Sequence, residues 1–230
     1  MKYNTLFIDL DDTIWDTTSN ARESMEEVYR DYHFDRFFPT FDDYYNIYLP
    51  NNINLWDKYR QGLISKSELI IERLLYPLRP FGIDDKTYAT KLNEDFLNKT
   101  SAKTKLLPNA FEVLEYLRPN YKMYILSNGF EEVQYKKINN SGLAPFFDGV
   151  ILSDDIGVNK PHPAIFDYAL QKSGALRHET LMIGDSLEAD IRGAKDSNID
   201  QAWLDLGIDI ATDLLPTFHI HTLLELKQIL

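Results

Sequence analysis

The chain has 230 residues, enough for one large domain or a core domain with a smaller insert. Its net charge of −12, from 24 Lys plus Arg against 36 Asp plus Glu, argues against nucleic-acid polymers and anionic membranes as partners. There is no cysteine, which excludes a disulfide framework, a thiolate zinc site and a cysteine nucleophile. No apolar run is long enough for a signal peptide or a membrane span, so a cytoplasmic protein is expected.

In chain order, the first expected element is a short buried strand in "LFIDLDDTIWD" (6–16), which ends in Asp9, Asp11 and Asp12. Residues 16–100 then read as helices only, in "NARESMEEVYRDYHF", "INLWDKYRQG", "SKSELIIERLLYPL" and "DDKTYATKLNEDFLN". Fifteen of these 85 residues are Phe, Tyr or Trp, against 15 of the other 145. From 101 onward helices and strands alternate. Helices are expected over 109–119, 131–142, 162–174 and 188–198, strands over 122–128, 148–155, 180–186 and 201–206, and a short helix from Thr222. Strands that are apolar on both faces and alternate with helices imply a parallel sheet covered on both sides. The expected fold is therefore α/β, a Rossmann-like sheet made by 1–15 and 101–230, with 16–100 inserted as an all-helical cap.

Two like charges about 4 Å apart repel by roughly 4 kcal/mol at an effective dielectric near 20. An acidic knot at the end of a buried strand therefore needs a cation, a proton or water. Residues i and i+2 of a strand point the same way, so Asp9 and Asp11 share one side of the sheet's carboxyl edge, where open α/β sheets bind ligands. Ser127, Asn128, Lys160 and Asp185 fall at the ends of other strands on that edge, and Asp190 follows at a helix start. Four carboxylates, one of them protonated, balance Lys160 and one divalent ion. An all-oxygen set of this kind suits Mg²⁺. Asp9, ionised beside the metal, is the candidate nucleophile. Asp11, crowded by carboxylates and so raised in pKa, is the candidate acid and base. Ser127, Asn128 and Lys160 are candidates to hold phosphate.

"DLDDT" (9–13), "LSNG" (126–129), the Lys of "GVNKPHP" (157–163) and "GDSLEAD" (184–190) resemble, in order, the four motifs of the haloacid dehalogenase superfamily of phosphohydrolases. The resemblance implies that Asp9 is the nucleophile and Asp11 the acid and base. It also implies that Asp9, Asp185 and the backbone carbonyl of Asp11 hold Mg²⁺, that Ser127 and Lys160 bind phosphate, and that Asp190 orients Lys160 or a metal-bound water. Thr13 of the first motif is a supporting position. An acid at position 11 favours phosphate ester hydrolysis. "LWDKYRQGLIS", "SNGFEEVQ" and "IGVNKPHPAIFDYAL" resemble more narrowly the noncanonical pyrimidine nucleotidase branch, which dephosphorylates nucleoside 5′-monophosphates. The implied partner is a small phosphorylated metabolite of that kind. A sugar-phosphate or phosphoglycolate phosphatase, a phosphomutase and a catalytically idle interaction module are the alternatives.

Several residues have plainer readings. Asp12 is read as a turn residue, Asp154 and Asp155 as loop acids, and His162 as a helix-start residue. Trp15, Trp56 and Tyr59 are candidate platforms for a nucleobase, but helical bundles bury aromatics anyway, and core packing is the preferred reading of each.

Overall fold

The computed structural model describes residues 2–207 and 213–230. Met1 and residues 208–212, which belong to the expected core spans, lie outside the described residues. In chain order the elements are β1 (Thr5–Ile8), α1 (Thr17–Asp31), α2 (Phe41–Arg60), α3 (Lys66–Leu75), α4 (Lys86–Ala102), α5 (Ala110–Leu117), β2 (Lys122–Ser127) and α6 (Glu131–Asn140). There follow β3 (Gly149–Leu152), α7 (Pro163–Ser173), β4 (Thr180–Gly184), a π-type turn over Leu187–Arg192 leading into α8 (Gly193–Asp196), β5 (Asp200–Leu204), β6 (Phe218–Ile220) and α9 (Leu226–Ile229). Contacts divide the chain into two units, Met1–Thr17 with Thr104–Leu230, and Thr18–Lys103. Among the described residues no helix is long and apolar enough to cross a membrane.

The first unit is an all-parallel sheet in the order β3-β2-β1-β4-β5-β6. Side-chain alternation sends each strand's residues to two different cores. Leu6, Ile8, Met123, Ile125, Leu181 and Ile183 pack on one face, with Val113, Leu114 and Leu117 of α5. Phe7, Leu126, Ile151 and Met182 pack on the other, with Ile165, Phe166 and Ala169 of α7. The sheet is thus covered by helices on both faces, as the apolar runs predicted. Strands β3 and β4 stop two or three residues short of the expected ends, because Ser153–Asp155 form a helical turn and Asp185 leaves the ladder. Strand β6 was not foreseen: three residues, one of them His219, carry too little apolar pattern to be read as a strand.

The second unit is helical. Capping boxes start two of its helices, Thr40 with Asp43 before α2 and Ser65 with Glu68 before α3, while Asp85 accepts the Thr87 and Tyr88 N–H groups before α4. Met25, Phe34, Tyr44, Leu74, Leu78 and Leu92 form a core within this unit. The surplus of aromatics is mostly this core, with Phe34 and Tyr44 rings 5.2 Å apart and Tyr44 stacked on Tyr48 at 5.9 Å.

Phe7, fully buried in the middle of the central strand with its ring edge-on to Tyr124, tests the two-faced core. Phe7→Ala is expected to lower the unfolding free energy of the chain by about 3–5 kcal/mol in urea titrations. A loss below about 1 kcal/mol would mean that this face of β1 is not packed as described.

Candidate active site

Strand β1 is where the chain's direction of winding changes. β2 and β3 lie to one side of it, and β4, β5 and β6 to the other. Such a switch point opens a crevice at the carboxyl ends of the two strands that flank it, here β1 and β4. Asp9 follows β1 directly and keeps its pairing, its N–H donating to the Ile183 carbonyl at 2.9 Å. Asp185 follows β4. Lys160 reaches the same place from the loop before α7, and its Nζ is 2.7 Å from Asp9 Oδ1, 2.7 Å from Asp190 Oδ1 and 2.6 Å from the Leu126 carbonyl. Lys160 is only 2% exposed and Asp190 only 1%. A buried ammonium survives only with such partners, and the two carboxylates overcome burial to hold Lys160 above the ordinary lysine range.

Asp190 is fixed from two sides, since its Oδ2 also accepts the Ser186 N–H at 3.1 Å. The turn that carries it is capped by Ser186, whose Oγ accepts the Ala189 N–H. Asp190 lies so close over Gly184 that a Cβ there would overlap the carboxylate. Asp185 is held by Thr13, which donates Oγ1–H to Asp185 Oδ1 and accepts the Asp185 N–H, both at 3.1 Å. One carboxylate oxygen from each of Asp9, Asp185 and Asp190 lies within 4.8 Å of the others. Burial pushes the Asp9 carboxyl up to about 7, with Lys160 opposing and Asp190 and Asp11 adding to the rise. Burial also pushes Asp185 well above the carboxylate range, helped by Asp190, Asp9 and Asp12. With all three carboxylates ionised, the cluster would carry two negative charges beyond its one ammonium, and this surplus adds to burial in raising Asp9 and Asp185. The donors are all oxygen. Both facts fit a hard divalent cation, and the acidic cluster can hold a metal.

Asp11 departs from expectation. Its carboxylate is directed away from the acid cluster, onto Lys137 Nζ at 2.5 Å, Thr17 Oγ1 at 2.7 Å and Gln134 Nε2 at 2.6 Å. Burial raises its pKa, but Lys137, Thr17 and Gln134 outweigh that and hold the carboxyl below the usual range. The reading that crowding by carboxylates raises Asp11 is therefore corrected: it has its own cation. Lys137 and Gln134 were both missed in the sequence. They lie three residues apart on α6, in the same buried stripe as Val133 and Ile138. Polar residues standing in an apolar stripe are the signal that could have found them.

Gln134 also donates to Ser127 Oγ at 2.7 Å, which accepts the Gly129 N–H at 3.0 Å as well. Gln134 lies against the Gly129 Cα, where a Cβ would overlap its amide, so this turn requires glycine. Asn128 was expected on phosphate. Its amide is instead taken up by the Lys160 main chain, donating to the carbonyl at 2.9 Å and accepting the N–H at 2.7 Å. It positions Lys160. Asp12 sits in a left-handed turn, Asp154 accepts the Glu131 N–H, Asp155 pairs with Lys172, and His162 accepts the Ala164 N–H at the start of α7. Trp15 is fully buried in the sheet core, with Nε1 donating to Ser141 and Lys137 4.3 Å above its ring, so it cannot stack on a base. A hollow of about 500 Å³ beside Asn4, Arg118, Tyr121 and Glu179 lies at the opposite edge of the sheet and shares no residue with the acid cluster.

Residues 3–198 match the model of the haloacid dehalogenase-like hydrolases. The chain belongs to this family. It is an enzyme of the hydrolase class. Pyrimidine 5′-nucleotidase YjjG of Escherichia coli is 31% identical over 232 residues, covering 100% of this chain and 99% of that protein. Glyceraldehyde 3-phosphate phosphatase of Pyrococcus abyssi is 32% identical, covering 88% of this chain and 81% of that one. The crystal structure of the HAD-hydrolase YfnB from Bacillus subtilis, bound to magnesium, superposes with a TM-score of 0.89 at 28% identity, covering 100% of this chain and 99% of that one.

Within this haloacid dehalogenase-like site, Asn128 tests how Lys160 is held. Asn128→Ala removes both side-chain bonds to the Lys160 main chain. It is expected to cost about 1–3 kcal/mol of stability and to lower hydrolytic kcat at least about 10-fold, read by urea unfolding and steady-state kinetics. Unchanged kcat would show that Lys160 is placed without it.

Proposed function

We propose that the chain is a Mg²⁺-dependent phosphomonoesterase that works through an aspartyl-phosphate on Asp9 and acts on nucleoside 5′-monophosphates, pyrimidine ones above all. The observation that carries the chemistry is the pairing of Asp9 Oδ1 with buried Lys160, which orients the carboxylate and leaves Oδ2 for attack. The full-length likeness to YjjG, over both chains, supports the nucleotide. The magnesium of YfnB supports the metal.

Asp9 Oδ2 attacks phosphorus, the ester P–O bond breaks, and Asp11 gives a proton to the leaving oxygen. Water then attacks phosphorus, the bond to Asp9 breaks, and Asp11 takes the water's proton. Asp11 begins ionised against Lys137, so it enters the first half of the cycle only after gaining a proton, and it is ready as a base for the second. Ser127 accepts two hydrogen bonds, so its own O–H is left to donate to a phosphate oxygen. Lys160 offsets charge on Asp9 and on the phosphoryl group. Asp9, Asp185 and the Asp11 carbonyl would hold Mg²⁺, with Thr13 orienting Asp185 and Asp190 orienting Lys160. When bound, the ion neutralises the phosphate and the acids around it. On the helical unit, read as the cap, Trp56 and Tyr59 are half-buried with rings 5.7 Å apart, and they remain the candidates to meet a base. Stacking on one ring contributes about 1–3 kcal/mol.

Asp9→Asn is expected to lower kcat at least about 1,000-fold while the fold, read by circular dichroism, is kept. Residual activity of more than a few per cent would contradict the covalent route. With Mg²⁺, nucleoside 5′-monophosphates should show a higher kcat/KM than triose or hexose phosphates in a side-by-side screen, and excess chelator should abolish turnover. If a triose phosphate wins, the substrate assignment falls and the phosphatase reading stands.

A further inference from the structure

Strands β5 and β6 pair in parallel at one edge of the sheet, with Trp203 opposite His219 and Leu204 opposite Ile220. One residue further along that register, Asp205 stands beside His221. Alternate strand residues share a face, so Trp203 and Asp205 on one strand and His219 and His221 on the other form a single patch. Leu204 and Ile220 turn the opposite way, into the core. His219 stacks on Trp203 at 4.4 Å and 15°, and the His221 ring is 4.7 Å from that of His219. Asp205 Oδ2 is 2.9 Å from His219 Nε2 and 3.8 Å from His221 Nδ1. One ligand atom from each of the three residues lies within 4.8 Å of the others.

We propose that Asp205, His219 and His221 bind one divalent transition-metal ion of the zinc class. Two imidazoles and a carboxylate are a donor set for zinc, nickel or copper, whereas magnesium and calcium take oxygen ligands. A tetrahedral ion with ligands at about 2.0–2.1 Å separates its donors by about 3.3 Å. The two contacts to Asp205, at 2.9 and 3.8 Å, bracket that spacing. The residues behind the ligands are already in place. Gly207 donates its N–H to Asp205 Oδ1 at 2.9 Å, which turns Oδ2 toward the rings. Trp203, which supports His219, is itself fixed by donating Nε1–H to the Asp185 carbonyl at 2.9 Å. Partners of this kind orient metal ligands and raise affinity. His219 and His221 are 44% and 64% exposed, so water or an external ligand completes the coordination. The site shares no residue with the all-oxygen cluster of Asp9, Asp185 and Asp190.

The test is calorimetric titration of the full chain with Zn²⁺ in excess Mg²⁺, which keeps the acid cluster occupied. One Zn²⁺ should bind per chain. The affinity should fall at least about 10-fold in His219→Asn, His221→Asn and Asp205→Asn, and Mg²⁺-supported turnover should be unchanged in His221→Asn. Tryptophan emission should be quenched by Cu²⁺ in the parent chain and much less in His219→Asn and His221→Asn. Absence of a stoichiometric Zn²⁺ heat, or equal Zn²⁺ affinity in the parent chain and the three variants, would overturn the proposal and leave His219 and Asp205 as a plain hydrogen-bonded pair. Loss of Zn²⁺ binding in Asp9→Asn with retention in the histidine variants would overturn it too, by placing the ion in the acid cluster.

Discussion

The Lys160 ammonium is shared among Asp9, Asp190 and the Leu126 carbonyl, and it is almost wholly removed from water. A charge in that position cannot be left partly paired; losing one partner of a buried ion pair costs about 3–5 kcal/mol. The ends of β2 and β1 and the turn that follows β4 are therefore tied to one nitrogen. Gly184 has no side chain because Asp190 must pass over it, and the Asn128 amide grips the Lys160 main chain from the side of β2. The two-faced apolar packing of the sheet supplies the frame that makes this convergence rigid.

Charge divides into two compartments at the carboxyl edge. Asp11 is matched by Lys137 and fixed by Gln134 and Thr17. Among the described residues, Asp9 and Asp190 share Lys160 as their ion-pair partner, so the three acids Asp9, Asp185 and Asp190, when ionised, carry two more charges than the cation beside them. This division lets two carboxylates two residues apart behave differently, Asp9 raised by burial and Asp11 lowered by its own lysine. It also revises the charge count made from sequence. With Lys137 assigned to Asp11, a divalent ion beside Lys160 would balance the remaining three acids; without one, burial and mutual repulsion raise Asp9 and Asp185.

What the sequence revealed follows from how local each signal is. The parallel sheet, its two-sided covering, the positions of Asp9, Asp11, Ser127 and Asp185 just at or after strand ends, and that of Lys160 in the loop between β3 and α7 were legible, because each depends on one strand and the segment after it. Gln134 and Lys137 were not, since they reach Asp11 from a helix more than 120 residues away in the chain. Core packing was the favoured reading of Trp15, and the ring is indeed buried in the sheet core; its place beside the catalytic edge had kept it as a platform candidate. Strand β6 exists by pairing with β5 rather than by its own pattern, and that pairing also assembles the Asp205, His219 and His221 cluster. Thr13 gained its meaning only when β4 was placed beside β1.

The central claim is that Asp9, oriented by Lys160, takes the phosphoryl group. It is tested most directly by acid-quenching a nucleoside 5′-monophosphate reaction within the first turnover and mapping phosphoryl mass to peptides. The account predicts a transient, acid-stable and base-labile phosphoryl group on the peptide that carries Asp9, absent in Asp9→Asn. Product forming at the full rate with no phosphorylated peptide at any time, or with the label on another residue, would contradict it.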